Sequence, residues 1–243
     1  VLDTLMAMRK RDWQQLNGEA RRDIAHFLLD VAAYRREIEA DEAPEPTLIA
    51  MQDAVRQLER QLQQDLLQHY RFYQQAVNQP DWALKPFQQD PFDAELWKEY
   101  GIRTTSGAAA GALLGLGVDV ATLGTSAGLG TAIGGLIGGL LPNMQTLGDK
   151  LSGKQTLIID PATLTLLAAR ALDLLAVLQT RGHAAQNTIG LTEKAAPWRA
   201  SKLPSALNKA RSQYKWSSLN TGNPEASRAA RREAVQELAN SLP

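Results

Sequence analysis

Glycines recur at four-residue steps through residues 104–148, and this ladder constrains the fold more than any other feature of the sequence. The stretch has twelve glycines among its 45 residues, and Asp119 is its one charged residue. In a helix, a four-residue step places residues on one side, where a row of glycines leaves a groove that another helix can approach closely. Each glycine in a helix interior costs about 1 kcal/mol relative to alanine, so such helices require close packing or exclusion of water. The ladder consists of Gly107, Gly111, Gly115, Gly124, Gly128, Gly130, Gly134 and Gly138.

The ladder predicts a glycine-zipper helical hairpin with arms over residues 104–118 and 126–141. At ~1.5 Å per residue each arm is about 23 Å long, which is short of the roughly 30 Å hydrocarbon core of a bilayer. Asp119 then lies near the turn, where a full span would place a costly charge in lipid. A hairpin that dips into one leaflet, or inserts conditionally, fits better than two full spans. The alternative is a hairpin buried in the core of a soluble helical protein.

The rest of the chain predicts an all-α helical bundle. Apolar residues repeat at three- and four-residue steps over residues 5–38 and 47–77, as in two long antiparallel amphipathic helices. Asp93 and Asp160 are expected caps for helices over 94–100 and 161–181, and Pro161 fits the first helical position. Residues 155–159 read as a short extended stretch, and a last helix is expected over 224–242. Three regions follow: 1–100, 101–186, and a mostly irregular basic tail over 187–243.

Charge is balanced overall but divided between the two ends of the chain. Residues 1–100 carry 12 basic and 18 acidic side chains, whereas residues 194–243 carry nine basic and three acidic ones. This asymmetry predicts either an internal contact or a basic tail for an acidic partner: lipid headgroups, nucleic acid, or the chain's own first half. The predicted basic patch consists of Lys194, Arg199, Lys202, Lys209, Arg211 and Lys215.

Catalytic and metal-binding patterns are not found in this sequence. It has no cysteine, and His26, His69 and His183 lack the spacing of metal ligands. Residues 148–154 match the start of a phosphate-binding loop, but the eighth position is Gln155 where that loop needs Ser or Thr. Such a loop must also follow a strand and open a helix, which the surrounding pattern does not predict. We therefore expect no enzyme activity, no cofactor and no metal in this chain.

Four stretches together resemble one family. They are Trp97-Lys-Glu-Tyr-Gly-Ile-Arg-Thr-Thr-Ser-Gly-Ala-Ala-Ala-Gly, Gly115-Leu-Gly-Val-Asp119, the arm Gly-Thr-Ala-Ile-Gly-Gly-Leu-Ile-Gly-Gly-Leu, and Asp160-Pro-Ala-Thr-Leu through Arg181-Gly-His-Ala. The chain is similar here to the uncharacterised C-terminal region fused behind Era-like small GTPase domains in proteobacteria, most clearly over residues 95–186. The resemblance implies a bacterial cytoplasmic protein with an N-terminal GTPase domain. That domain is absent from this chain, and the missing initiator methionine is consistent with a fragment of a longer protein.

These observations lead to one functional expectation and two alternatives. The expectation is a non-enzymatic effector region of an Era-like GTPase, cytoplasmic or held at the inner membrane. Its N-terminal helices would pack on the GTPase domain, and its hairpin would contact the membrane or a helical partner. The first alternative is a soluble helical interaction module whose ladder is core. The second is RNA or ribosome binding through the basic tail, and nucleic acid is the least favoured partner.

Overall fold

A computed structural model describes residues 2–39, 41–70, 85–102, 118–121, 154–181, 196–220 and 228–243. The helices are α1 (Leu2–Ala33), α2 (Glu45–His69), α3 (Lys85–Gln88), α4 (Ala94–Glu99), α5 (Pro161–Arg181), α6 (Ser205–Arg211) and α7 (Arg228–Ser241), with a 3₁₀ helix over Tyr214–Trp216. The strands are β1 (Arg35–Glu39), β2 (Val118–Ala121) and β3 (Lys154–Ile159). The described chain is thus mostly helical, as the sequence predicts.

Helix α1 is the centre of the fold. Its second half buries an apolar surface that includes Ile24, Leu28 and Leu29, none of which is exposed to solvent. Around it pack α2, α5, α6, α7 and the 3₁₀ helix. The core therefore draws side chains from both ends of the sequence, because Leu207, Leu238 and Leu242 join the same cluster as the residues of α1. The division into three regions stays a prediction.

A small antiparallel sheet completes the fold, with the strand order β1-β3-β2. In the central strand, Leu157 and Ile159 are completely buried. Arg35 lies opposite Ile158 on one side of β3, and Val118 lies opposite Ile159 on the other. The expected extended stretch over 155–159 is therefore confirmed, and it is the middle of a three-stranded sheet.

The first helix ends earlier than its periodicity predicts. The expectation of a helix over 5–38 is wrong at its C-terminal end, since α1 stops at Ala33 and residues 35–39 form β1. The Asn220 side chain accepts a hydrogen bond from the Arg35 amide and donates one to the Ala33 carbonyl, so it satisfies backbone groups on both sides of the break. The backbone N–H and C=O groups of residues 35–39, which a longer helix would have paired internally, are instead paired with β3.

The second helix also has different bounds. It begins at Glu45 behind Pro44, two residues before the expected start at 47, and it ends at His69 with Tyr70 as C-cap. Residues 71–77 of the expected helix lie outside the described residues. The expected caps are confirmed: Asp93 accepts from the Glu95 amide, and Asp160 accepts from the Thr163 amide with Pro161 as the first residue of α5. The described last helix begins at Arg228, within the expected 224–242.

Candidate functional site

Strand β2 lies at the end of the first predicted arm of the hairpin and in the predicted turn that follows it. Val118–Ala121 pairs antiparallel with β3, so the expectation that the first arm extends to Val118 is wrong. The physical reason is the run Val-Asp-Val-Ala, which has two β-branched residues in alternation and no glycine, and which finds an apolar strand to pair with. The ladder glycines Gly107, Gly111, Gly115, Gly124, Gly128, Gly130, Gly134 and Gly138 lie outside the described residues.

Asp119 is consequently not at the tip of a hairpin. It lies opposite Ile158 in the sheet, on the helical body of the protein. The charge that disfavours deep insertion into a membrane thus lies in a strand of the folded core. Strand β2 divides the glycine-rich stretch into two segments, residues 103–117 and 122–153.

The register of β2 and β3 fixes where the second segment begins and ends. Ala121 lies opposite Thr156, so the chain leaves the sheet at Ala121 and returns at Lys154 along the same end of the sheet. The intervening 32 residues carry no charge before Asp149. Neighbouring strands are about 4.8 Å apart, so the two ends of this segment are adjacent.

The first glycine-rich segment is also held at both ends. Ile102 packs against a separate apolar cluster in which Leu96, Trp97 and Tyr100 meet Ala162 and Leu166 of α5. At the other end, Val118 pairs with Ile159, the residue before the Asp160 cap. The first glycine-rich segment is therefore held between α5 and the sheet. The second segment has both of its ends on the sheet.

Helix α5 is fixed beneath these anchors by a buried ion pair. Arg170 Nε lies 2.5 Å from Glu59 Oε1 of α2, and the two side chains are 2% and 7% exposed. Arg170 Nη2 donates to the carbonyl oxygens of Phe87 and Gln89. Burial raises the pKa of Glu59 above its usual value, and Arg170 opposes that rise. The pair links α2, α3 and α5 in a water-poor interior, where a lone charge would be costly.

Tyr100 and Asp173 make a second polar link to α5. The Tyr100 hydroxyl donates to Asp173 Oδ2 at 2.7 Å. Burial, together with the Asp173 carboxylate, raises the pKa of Tyr100, so the phenol stays protonated as the donor. Arg170 and Asp173 are the two charges that the sequence places inside this apolar helix, and each has a partner. Neither link resembles a nucleophile paired with a base.

By length and composition, residues 161–179 of α5 could cross a membrane, but 72% of that window is buried within the protein. This is what a core helix shows, and we assign α5 to the core. Among the described residues, His, Asp and Glu form no group that could hold a metal ion. After the phosphate-loop-like sequence, Lys154 and Gln155 begin a strand and not a helix.

The basic patch is spread over the surface in the described part of the tail. Arg199, Lys202, Lys209 and Lys215 are exposed, Arg211 is half-buried, and Lys194 lies outside the described residues. Its aromatic neighbours are used in packing. Trp216 is 2% exposed, with Lys209 Nζ 5.9 Å from its ring centroid, and Tyr214 stacks with Arg35 at 5.4 Å. These rings are therefore engaged by the protein itself and are poorly placed to stack on bases.

Two features escaped the sequence reading. The first three turns of α1 are exposed throughout residues 2–12 and carry Leu2, Leu5, Met6 and Met8, which are 54–72% exposed. The sequence does contain a signal for this exposed apolar surface, because these apolar residues precede the regular apolar stripe that starts at Trp13. The second feature is a cluster of His26, Asp30 and Arg231, which joins α1 to α7 and has no local sequence signature.

A family model described as a domain of unknown function (DUF3482) matches residues 1–240. No curated protein matches the chain, and no solved structure does.

Proposed function

Since the chain belongs to this family of unknown function, we propose, from the resemblance described above, that it is a non-enzymatic effector region of an Era-like GTPase. Its glycine-rich segments contact the membrane or a partner helix, and the helical body carries them. The observation that carries the proposal is the antiparallel pairing of β2 with β3. It gives residues 122–153 two adjacent ends on the folded part of the protein, as a segment that enters a surface and returns requires.

The length of this segment agrees with insertion into one leaflet. Residues 122–148 are 27 consecutive uncharged residues. As a helix, the arm predicted over 126–141 would reach about 23 Å, which passes the headgroups without crossing the whole hydrocarbon core. With Asp119 in the sheet, no charge has to enter lipid. Conditional insertion of this segment is thus supported by both its composition and its anchoring.

The exposed start of α1 supports docking on a GTPase domain. The resemblance places that domain N-terminal to this region, which is where Leu2, Leu5, Met6 and Met8 are exposed. Contiguous exposed apolar side chains of this kind mark interaction surfaces. The effector region would then receive the nucleotide signal through α1, the helix that contacts most of the other elements.

Vesicle flotation tests the membrane part of the proposal. The chain should float with neutral phosphatidylcholine vesicles, and the addition of the GTPase domain should change the bound fraction in a nucleotide-dependent way. A chain that stays at the bottom of the gradient under all these conditions would remove the membrane from the proposal.

Docking on the GTPase domain is tested separately by two substitutions on α1. Leu5→Glu combined with Met6→Glu should abolish association with the separately purified GTPase domain, because it places charge on the exposed apolar face. Ile49→Glu is the matched control, since Ile49 is 44% exposed but lies on α2. Equal loss in both proteins, or no association in the wild type, would count against docking through α1.

One observation favours a second candidate, a soluble helical interaction module. This fold already buries most of one helix that is apolar on nearly every side, because 72% of the apolar window of α5 is buried within the protein. The glycine-rich segments could be covered in the same way, by the body or by a partner protein. A monodisperse chain without detergent, with a single cooperative melt and no vesicle binding, is the result that this candidate predicts.

A further inference from the structure

The exposed start of α1 continues the face by which this helix packs on the rest of the protein. Along the packed part of that face, buried apolar residues recur at steps of three and four: Ala20, Ile24, Phe27 and Val31. The same steps, followed back through Leu16 and Trp13, reach Arg9, Met6, Leu5 and Leu2. We call Leu2, Leu5, Met6 and Arg9 the α1 stripe.

The α1 stripe lies beyond the contacts that α2 and α5 make with this face. Trp13 meets Tyr70, the C-cap of α2, edge to face with ring centroids 5.6 Å apart. Gln179, in the last turn of α5, donates to Asn17 Oδ1 at 3.1 Å. Residues 2–12 are all exposed and extend the helix by about 16 Å before Trp13. A partner that covers the stripe would therefore continue an interface that already exists within the protein.

Arg9 is the charged member of the α1 stripe. It stands where the apolar repeat would place another leucine or methionine, about one turn from both Met6 and Trp13. Arg9 is exposed, and among the described residues none gives it a hydrogen bond or an ion pair. A purely apolar partner would bury its guanidinium without acceptors, which is costly. A partner that covers the whole stripe therefore needs a carboxylate opposite Arg9.

The stripe itself indicates which kinds of partner supply that carboxylate. A second copy of the stripe would bring another arginine and no carboxylate. An anionic lipid surface would attract Lys10 and Arg11, which are also exposed, as much as Arg9. Arg11 lies on the opposite side of the helix from Arg9, because two residues turn an α-helix by about 200°. A folded protein groove is the partner that distinguishes Arg9 from its basic neighbours.

We propose that the α1 stripe binds an apolar groove of the GTPase domain that carries a carboxylate opposite Arg9. This inference rests on the proposed function, since it takes the docking surface from there and adds the chemistry of the partner. Leu2, Leu5 and Met6 fill the groove as the anchors of an amphipathic helix. Arg9 pairs with the carboxylate through two parallel N–H donors, which fixes the position of the helix along the groove.

The test compares two charge reversals on the same helix. Arg9→Glu alters the stripe, and Arg11→Glu is the control, because it makes the same change of charge on the opposite side. Both residues are exposed, so neither change should alter the thermal melt of the chain. A third variant, Arg9→Met, removes the guanidinium but keeps the stripe apolar. Titration calorimetry measures the binding of the separately purified GTPase domain, with GDP or a non-hydrolysable GTP analogue, to each protein at low and high salt.

Arg9→Glu should weaken the binding by about 30-fold or more, the loss that is typical of a central anchor arginine. Arg11→Glu should weaken it by about fivefold or less, as for other exposed charges. Arg9→Met should weaken it by about tenfold or more and make it less sensitive to salt, because the carboxylate of the groove is then left unpaired. A methionine at this position would instead strengthen binding to a purely apolar groove.

Equal weakening by Arg9→Glu and Arg11→Glu would overturn the proposal, since binding would then follow net charge alone. Binding that Arg9→Met leaves unchanged or strengthens would overturn it too. So would a stripe that serves self-association of the chain, or binding to phosphatidylglycerol vesicles, in place of the GTPase domain.

The failure of this inference is distinguishable from the failure of the proposed function. If Leu5→Glu with Met6→Glu abolishes association while both Arg9 variants bind like the wild type, docking through α1 stands and the carboxylate groove is wrong. A wild type that does not associate with the GTPase domain removes both.

Discussion

Arg170 shows how single residues hold this fold together. Its side chain is 2% exposed in the middle of an apolar helix, and its Nη1 has no hydrogen-bond partner among the described residues. Its charge is balanced by Glu59, which is itself buried. Removing one partner of a buried pair leaves an unbalanced charge, whereas replacing both with apolar residues removes the problem.

Glu59→Leu should therefore cost about 3–5 kcal/mol of unfolding free energy. The double variant Glu59→Leu with Arg170→Met should cost much less than the sum of the two single variants, as a urea-denaturation double-mutant cycle would show. The exposed pair of Glu95 and Lys98 is the control, with an expected coupling of about 0.5 kcal/mol or less. Additive single effects at Glu59 and Arg170 would contradict the assignment of a buried ion pair.

His26 gives the fold a pH dependence with a definite sign. Burial and the charges of Arg231 and Arg22 lower its pKa from 6.5, so the folded state binds the proton less tightly than the unfolded state. The stability that depends on neutral His26 is thus present above pH 6.5 and is lost as the pH falls through the lowered folded-state pKa.

His26→Asn should remove this part of the acid destabilisation, because asparagine can accept from Arg231 and does not titrate. Urea midpoints at neutral pH and near about pH 5 measure it. We expect the wild type to lose more stability on acidification than the variant. Identical pH dependence in the two proteins would show that His26 keeps an ordinary pKa.

At the scale of elements, the helices with local start signals were predictable and the strands were only partly so. Asp93 and Asp160 cap their helices where expected, because a cap acts on backbone groups two or three residues away. β1 was missed because Tyr34 and Ile38 continue the apolar stripe of α1, while its pairing partner lies more than 100 residues away. No local pattern encodes that partner, so the end of α1 could not be placed from periodicity alone.

The same limit explains the error within the glycine-rich stretch. Val118–Ala121 has strand character, but four residues between two glycine ladders are too few to outweigh the helical period around them. The exposed apolar start of α1 could have been predicted from the sequence, because its apolar residues precede the regular stripe. The cluster of His26, Asp30 and Arg231 could not be predicted from the sequence, because its members meet only after α7 packs on α1.

A cross-link tests the position of β2. Asp119 and Ile158 are directly opposite in the antiparallel register, where Cα atoms are about 4.5–5.5 Å apart and a disulfide can form. The chain has no cysteine of its own, so Asp119→Cys with Ile158→Cys should oxidise to an internal disulfide in the folded protein.

Asp119→Cys with Thr156→Cys is the control for this cross-link, because it is offset by two residues and should oxidise far less. The disulfide is detected by mass spectrometry after mild oxidation. Equal cross-linking in the two variants, or none in either, would contradict the sheet and favour the predicted position of Asp119 near the turn of a hairpin.

At the scale of the whole molecule, the helical body is a platform for two glycine-rich segments. The N-terminal helices, the sheet, α5 and the described part of the tail contribute to it, with α1 at its centre. The ends of the second segment are adjacent at the edge of the β2–β3 pair. This anchoring suits a segment that inserts into a surface while the charged residues of the body stay outside it.

The most direct test of this account places an environment-sensitive fluorophore within the second glycine-rich segment. Because the chain lacks cysteine, Ala132→Cys can be labelled alone, and Gln236→Cys on the exposed face of α7 serves as the control. On addition of phosphatidylcholine vesicles, the label at residue 132 should shift its emission to the blue and be quenched by spin-labelled lipid tails. The label at residue 236 should not change. A label at residue 132 that is unaffected by vesicles, whether already shielded or still in water, would contradict membrane insertion.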